Sequence, residues 1–298
     1  MRHLLEIDDL DPQELREVLA AASAPATPVL AGRGMGLLFE KPSARTRNSV
    51  EMAVVQLGGH PVTIRPDEVG LDTRETVEDV TRTLGCYHAA IGARVFEHEK
   101  LDRMVAVTSV PVVNLLSDQA HPFQALADVL TLADEFGGLD ALAGRVVTYV
   151  GDGNNVARSL ALAAGLLGMQ VRVATPPGYE MTPGDEQRVR SAGVDLVTTH
   201  DPVAGVIGAD AVYTDVWASM GQEAEAAERR RAFAGFTVDE TLMSRASAEA
   251  VFLHCLPAHR GEEVSGEVLE GPRSRVWPQA TNRMHAARGA ITWLMGQP

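Results

Sequence analysis

Arg145-Val-Val-Thr-Tyr-Val150-Gly-Asp-Gly-Asn-Asn155-Val156 carries the clearest structural signal in the chain. Residues 145–150 form a short, mostly β-branched apolar run, which suits a buried strand. Residues 151–155 carry two glycines and two asparagines, both turn formers. From Val156 to Leu167 the apolar positions recur at helical spacing. Strand, tight turn and helix in that order make the first half of a βαβ unit.

The same alternation extends outward from this stretch. Downstream, 171–174 reads as the next strand and ends at Pro176-Pro177-Gly178. Further strands are expected at 211–215 and 251–255. Upstream, residues 3–23 read as helical, with Asp11-Pro12-Gln13-Glu14 as a helix start. Strand-like runs follow at 36–39 and 61–65. Helical patterns at 75–88 and 98–106 flank the apolar run 89–93, and 110–114 is another short strand. A helix from about His121 to Glu135 stops at Gly137-Gly138.

This pattern predicts an α/β protein of two doubly wound domains, each a mainly parallel sheet flanked by helices, joined by interdomain helices. The expected domains are 1–135 and 144–280. A final helix over about 281–298, carrying Arg283 and Arg288, is expected to pack back on the first domain. Residues 222–231 are densely charged and read as a solvated helix.

The 298 residues are 45% hydrophobic, enough for a large core, and carry a formal net charge of −14. No basic block opposes that charge, which argues against nucleic acid as a partner. No apolar run is long enough to span a bilayer and no leader pattern follows Met1-Arg2-His3, so a cytoplasmic location is expected. The two cysteines, Cys86 and Cys255, are too few for a disulfide framework and lack zinc-type spacing, so no metal is expected.

Phe39-Glu-Lys-Pro-Ser43-Ala44-Arg45-Thr46-Arg47-Asn-Ser49 places hydroxyls and guanidinium groups where a strand passes through Pro42 into a helix. The first turn of a helix exposes free N–H groups at the positive end of its dipole, which stabilises an anion. Arg45 can add a two-pronged contact. A capped surface helix with solvated arginines is the plain alternative.

Elsewhere, His121 and Gln124 lie three apart at a helix start and can face one ligand; a packing histidine is the alternative. Arg94 follows the run 89–93, where a strand should end. Gly151-x-Gly153 tempts toward a dinucleotide site, but Val156 replaces the third glycine and no acidic residue ends the next strand near Ala174-Thr175. Asn154 and Asn155 instead offer carboxamides suited to an amino-acid carboxylate, or make a plain Asx turn.

Asp215-Val-Trp-Ala-Ser219-Met220-Gly221 leaves a strand, with an acid able to hold an ammonium and a loop able to close. In His254-Cys255-Leu256-Pro-Ala-His-Arg the lone thiol reads as buried. His254 should point away from Cys255 if both are on the strand.

In this order, the motifs SARTR, Arg94, HPFQ, GDGNN, DVWASMGQE, HCLPAHRGEE and TNRMH resemble the aspartate/ornithine carbamoyltransferase family over essentially the whole chain. The resemblance implies that residues 1–135, with the C-terminal helix of about 281–298, bind carbamoyl phosphate, through Ser43, Ala44, Arg45, Thr46, Arg94, His121, Gln124 and Arg283. It implies that the second domain binds L-ornithine through Asn155, Asp215, Ser219, Met220 and Cys255, with Cys255 and Leu256 between the two ligands. Arg45, Arg94, His121, Asp215, Cys255 and Arg283 would carry the reaction. That reaction would be carbamoyl transfer to the δ-amine of ornithine, giving citrulline and phosphate in arginine metabolism, with no cofactor. Homotrimers, or multiples of trimers, are implied.

The chain departs from the family pattern at Ala44, where Thr is usual, and at Gly70, where many members have Gln. Other acceptors (putrescine, a modified ornithine, aspartate) and a non-catalytic ligand-binding paralogue are the competing expectations.

Overall fold

The computed structural model describes residues 1–218 and 223–296. The chain divides into two compact units, Met1–Ala127 with Asn282–Pro298, and Asp128–Thr281.

The first unit holds a parallel sheet of β1 (Gly34–Phe39), β2 (His60–Ile64), β3 (His88–Arg94) and β4 (Val112–Leu116). Its order is β2-β1-β3-β4, so the chain steps outward from β1 to β2 and then crosses back to place β3 on the other side of β1. The direction of winding therefore reverses between β1 and β3, and it is beyond the carboxyl ends of such a pair that open α/β sheets bind ligands. Between β1 and β2 runs the helix Ala44–Gln56, capped by the Ser43 hydroxyl, which accepts from the Thr46 N–H at 3.3 Å. Gly58, with φ +77°, ends it, because that left-handed conformation costs glycine little.

Residues 3–6 correct the sequence expectation. They are not helical: Leu4 donates to the Val112 carbonyl at 3.0 Å and accepts from the Asn114 N–H at 2.8 Å, lying beside β4 like an added strand. The edge of β4 carries backbone groups that need partners, and this outweighs local helical spacing. The helix begins only at Pro12, after a short 3-10 turn at Ile7–Asp9. At the other terminus a helix covers Val276–Gly296, starting earlier than expected. Its Gly289 sits so close to the helix Pro12–Ser23 that an added Cβ would lie 2.5 Å from the Val18 carbonyl oxygen. Trp293 and Arg288 bond to Glu17 and to the Ala22 and Ala24 carbonyls of the same unit.

The second unit is built on β5 (Val146–Val150), β6 (Gln170–Ala174), β7 (Asp195–Thr199), β8 (Ala211–Thr214) and β9 (Val251–His254), all parallel, in the order β7-β6-β5-β8-β9. Winding reverses here between β5 and β8. The strand β7 has no counterpart in the sequence reading. It is an edge strand with Asp195, Val197 and Thr198 exposed, so it lacks the apolar run that marks the interior strands. Tyr149 on β5 and Tyr213 on β8 are fully buried and stack with ring centroids 5.7 Å apart.

Gly153 has a packing reason rather than a nucleotide-binding one. A Cβ there would lie 2.3 Å from the Met181 nitrogen, and the Gly153 N–H donates to the Tyr179 carbonyl at 2.8 Å. The glycine lets the 151–155 turn lie against the backbone of residues 179–181.

Candidate active site

In the first unit the reversal point is lined by cations. Arg94 ends β3 beside Phe39 of β1. Thr46 lies in the first turn of the helix that follows β1, and its hydroxyl oxygen accepts from Arg94 Nη1 at 3.4 Å and from Arg283 Nη2 at 2.8 Å. Arg283 Nη1 donates to Gln124 Oε1 at 2.7 Å. All four side chains are buried, as is His121, while Arg45 and Ala44 are exposed and Ser43 is half-buried. With two guanidinium groups donating to its oxygen, Thr46 keeps its own O–H to give to a ligand.

The electrostatics of this cluster are one-signed. Burial, then Arg283, then Arg45 lower the Arg94 pKa to about 10. Burial, then Arg283, Arg94 and Arg45 push His121 well below the usual imidazole range, so its ring is neutral at pH 7. Arg94 Nε is buried without a hydrogen-bond partner among the described residues. Buried like charges destabilise one another until a counter-charge arrives, and a dianion with several acceptor oxygens would both neutralise the cluster and accept its N–H groups.

This arrangement predicts that inorganic phosphate stabilises the protein. An anion present at a hundred times its Kd contributes about 2.7 kcal/mol, so melting curves with phosphate should shift upward; an unchanged Tm would contradict an anion site here. The sign of the pH dependence also follows. Below about pH 6.5 an unfolded chain protonates this histidine while the folded chain keeps it neutral, so its contribution is complete above that pH and declines below it. Phosphate, by favouring the imidazolium, should reduce that decline.

In the second unit a different chemistry gathers at the reversal point. Asp215 lies just past β8 and Cys255 just past the adjacent β9. The Cys255 thiol donates to Asp215 Oδ1 at 2.9 Å, and the Val216 N–H donates to the same oxygen at 2.8 Å. Asn154 Nδ2 lies 3.5 Å from Asp215 Oδ2, a long contact that leaves this oxygen able to accept from an ammonium. Asn154, not Asn155, caps the helix Asn155–Leu166, its Oδ1 accepting from the Val156 and Ala157 N–H groups at 2.9 and 3.2 Å. Asn155 is the first residue of that helix. Burial, followed by Asp215, Asp152 and Cys255, holds the Tyr149 hydroxyl well above its ordinary pKa, so it stays protonated.

Two sequence expectations are qualified in this unit. Strand alternation would point His254 away from Cys255 only if both lay on the strand, but β9 stops at His254 and the alternation does not extend to Cys255. Ligand atoms of Asp215, His254 and Cys255 lie within 4.8 Å of one another. His254 Nδ1 accepts from the Leu256 N–H at 2.8 Å, so Nε2 carries the ring proton and donates to the buried Glu263 at 3.2 Å. With both nitrogens engaged inside the protein, the trio acts as a thiol–carboxylate pair beside a fixed imidazole. Leu256 adopts φ +60°, a left-handed conformation costing about 1–2 kcal/mol, which its bond to His254 helps to hold.

The second concerns residues 222–231. The described part is a 3-10 turn at Glu223–Glu225 and a helix at Ala226–Ala232, but it is not wholly solvated. Arg229 is buried and donates through Nη1 to Asp152 Oδ2 and to the Trp217 carbonyl, both at 2.9 Å. A run of three arginines gave no signal for which one turns inward. Ser219 and Met220 lie outside the described residues.

Both parts of the chain resemble known proteins. Residues 2–134 match the family model "Aspartate/ornithine carbamoyltransferase, carbamoyl-P binding domain", and residues 143–294 match its "Asp/Orn binding domain". The chain is 49% identical to the ornithine carbamoyltransferase of Thermus thermophilus, covering 99% of this chain and 97% of that protein. It is 44% identical to that of Pyrococcus abyssi, covering 99% and 96%. Among solved structures, the ornithine carbamoyltransferase of Pyrococcus furiosus superposes with a TM-score of 0.93 at 43% identity, covering 100% of this chain and 98% of the other. The anabolic enzyme of Campylobacter jejuni superposes with a TM-score of 0.94 at 31% identity, covering 100% of both chains.

Proposed function

This chain belongs to the aspartate/ornithine carbamoyltransferase family, and we propose that it transfers the carbamoyl group of carbamoyl phosphate to the δ-amine of L-ornithine, giving L-citrulline and phosphate in arginine metabolism. The observation that carries this assignment to particular residues is the one-signed cluster of Arg94, Arg283 and Arg45 around Thr46, His121 and Gln124.

In this proposal Ser43, the first-turn N–H groups of the helix Ala44–Gln56, and the three arginines hold the phosphate. Ala44 lacks the usual hydroxyl but keeps its backbone N–H. Thr46, Arg94 and the neutral His121 donate to the carbonyl oxygen, where negative charge grows as the amine attacks. The nitrogen lone pair forms the C–N bond, and the carbonyl then expels phosphate, which leaves with the electron pair of the C–O bond. The ammonium loses two protons in all: one leaves to solvent before attack and frees the lone pair, and the second passes from the nitrogen to the departing phosphate.

An alkyl ammonium has a pKa of about 10, so the acceptor arrives charged. Asp215 holds and orients it, with Cys255 fixing the carboxylate; Asn155, Ser219 and Met220 contribute to the grip on the amino acid. Holding both substrates at once contributes much of the acceleration.

We also assign a homotrimer or a multiple of it. Met52 and Val55 on the helix Ala44–Gln56 and Val62 on β2 are large exposed apolar side chains on contiguous elements, as a subunit interface requires. Sedimentation equilibrium returning a monomer would reject this. Among the described residues no helix is long and apolar enough to cross a membrane, and a net charge of −14 disfavours nucleic acid. Cytoplasmic residence is part of the same proposal.

The test is citrulline formation from carbamoyl phosphate with ornithine, putrescine, aspartate and N-acetylornithine in parallel. Ornithine should give a kcat/KM at least about a hundredfold above the others, since an unmatched charge in a buried site costs several kcal/mol. Equal or better use of another acceptor would replace ornithine in the assignment.

A further inference from the structure

We propose that Gln279 is a positioning residue for Cys255, acting as a side-chain splint on the end of β9 and aimed by the buried carboxylate of Asp128. The proposal rests on the assignment of Asp215 and Cys255 as the amine-holding pair. β9 is an edge strand, and its outer edge is paired as far as the backbone allows. The Phe252 N–H donates to the Arg273 carbonyl at 2.9 Å, and the Phe252 carbonyl accepts from the Arg275 N–H at 2.8 Å. The next outward-facing donor is the His254 N–H. By then the neighbouring segment has turned into the helix Val276–Gly296, and no backbone carbonyl follows. Gln279 Oε1 takes that place, accepting from the His254 N–H at 2.9 Å.

The His254 N–H can only donate, so it needs the amide oxygen, and the other end of the amide must satisfy its own partner. Asp128 holds that orientation from the other side, because Gln279 Nε2 donates to Asp128 Oδ1 at 2.6 Å and a carboxylate can only accept. Asp128 and His254 are both at most 1% exposed, as is Gln279, so each bond is made without competing water. The residue after His254 is Cys255, whose thiol must reach Asp215 at 2.9 Å. Loss of the splint would leave the His254 N–H unmatched and the strand end that carries this thiol less firmly held.

The experiment compares Gln279→Met, Gln279→Glu and the swap Asp128→Asn/Gln279→Glu. In the swap the introduced carboxylate would accept from both the introduced amide and the His254 N–H. Two readouts are taken: the KM values for ornithine and carbamoyl phosphate, and the rate of Cys255 alkylation by iodoacetamide relative to the exposed Cys86 in the same sample. Gln279→Met should lower kcat/KM for ornithine about tenfold, the size expected for one buried hydrogen bond, with the carbamoyl phosphate KM within about twofold. Relative alkylation of Cys255 should rise about as much. Gln279→Glu should be at least as damaging, and the swap should recover both readouts to within about threefold. Unchanged ornithine kinetics and alkylation in Gln279→Met, both KM values moving together with Tm, or a swap no better than its worse single change would each overturn the proposal. If the parent protein makes no citrulline, the amine assignment fails separately and alkylation alone decides the splint.

Discussion

Arg45→Ala should lower kcat/KM for carbamoyl phosphate by about a thousandfold, the upper range for losing one donor at a developing charge, while Tm stays within about 2 °C. The two halves of this expectation have separate causes. Arg45 is exposed, so truncation opens no cavity and strands no partner. Its charge nevertheless acts on both Arg94 and His121, where it adds to the burden that lowers their pKa values. Removing it relaxes the repulsion within the cluster of Arg94, His121 and Arg283 and weakens the cluster's hold on a dianion. Steady-state kinetics with a melting curve on the same sample checks both halves. A loss below about tenfold would remove Arg45 from the phosphate grip.

Asp215→Asn should lower kcat/KM for ornithine by about a thousandfold, with phosphate affinity by calorimetry changed less than about threefold. Asparagine nearly matches the aspartate in shape and can still accept from Cys255 and Val216. The change therefore removes the charge and largely spares the geometry. A buried ammonium facing a neutral amide loses its compensation, and that loss falls on the amine alone. Equal losses on both ligands would mean that Asp215 serves the fold of the second unit rather than the acceptor.

The regular parts of this architecture were readable because their signals are local. The run 145–150, the turn 151–155 and the helical spacing after Val156 each reflect one element's own periodicity, and β5 with its following helix sits there. Elements whose reason lies elsewhere were not readable. Residues 3–6 extend because β4 needs an edge partner, and β7 is a strand because β6 supplies its ladder. Arg229 is buried because Asp152 and the Trp217 carbonyl wait for it; Arg230 and Arg231 beside it are exposed.

By itself the sequence determined the alternation of strands and helices, the helix start at Ser43–Thr46, and the set of arginines, histidine and acid that suits an anion and an amine. Those follow from spacing, propensity and charge, all carried by neighbouring residues. Only the tertiary structure decided which oxygens the guanidinium groups share, which asparagine caps the second helix, that the thiol turns to Asp215, and that Gln279 completes the edge of β9. Except for the asparagine cap, whose partners are two and three positions away, these depend on donors and acceptors far apart in the chain, up to 237 positions for Thr46 and Arg283, and their pairing is enforced by the cost of burying a polar group unmatched.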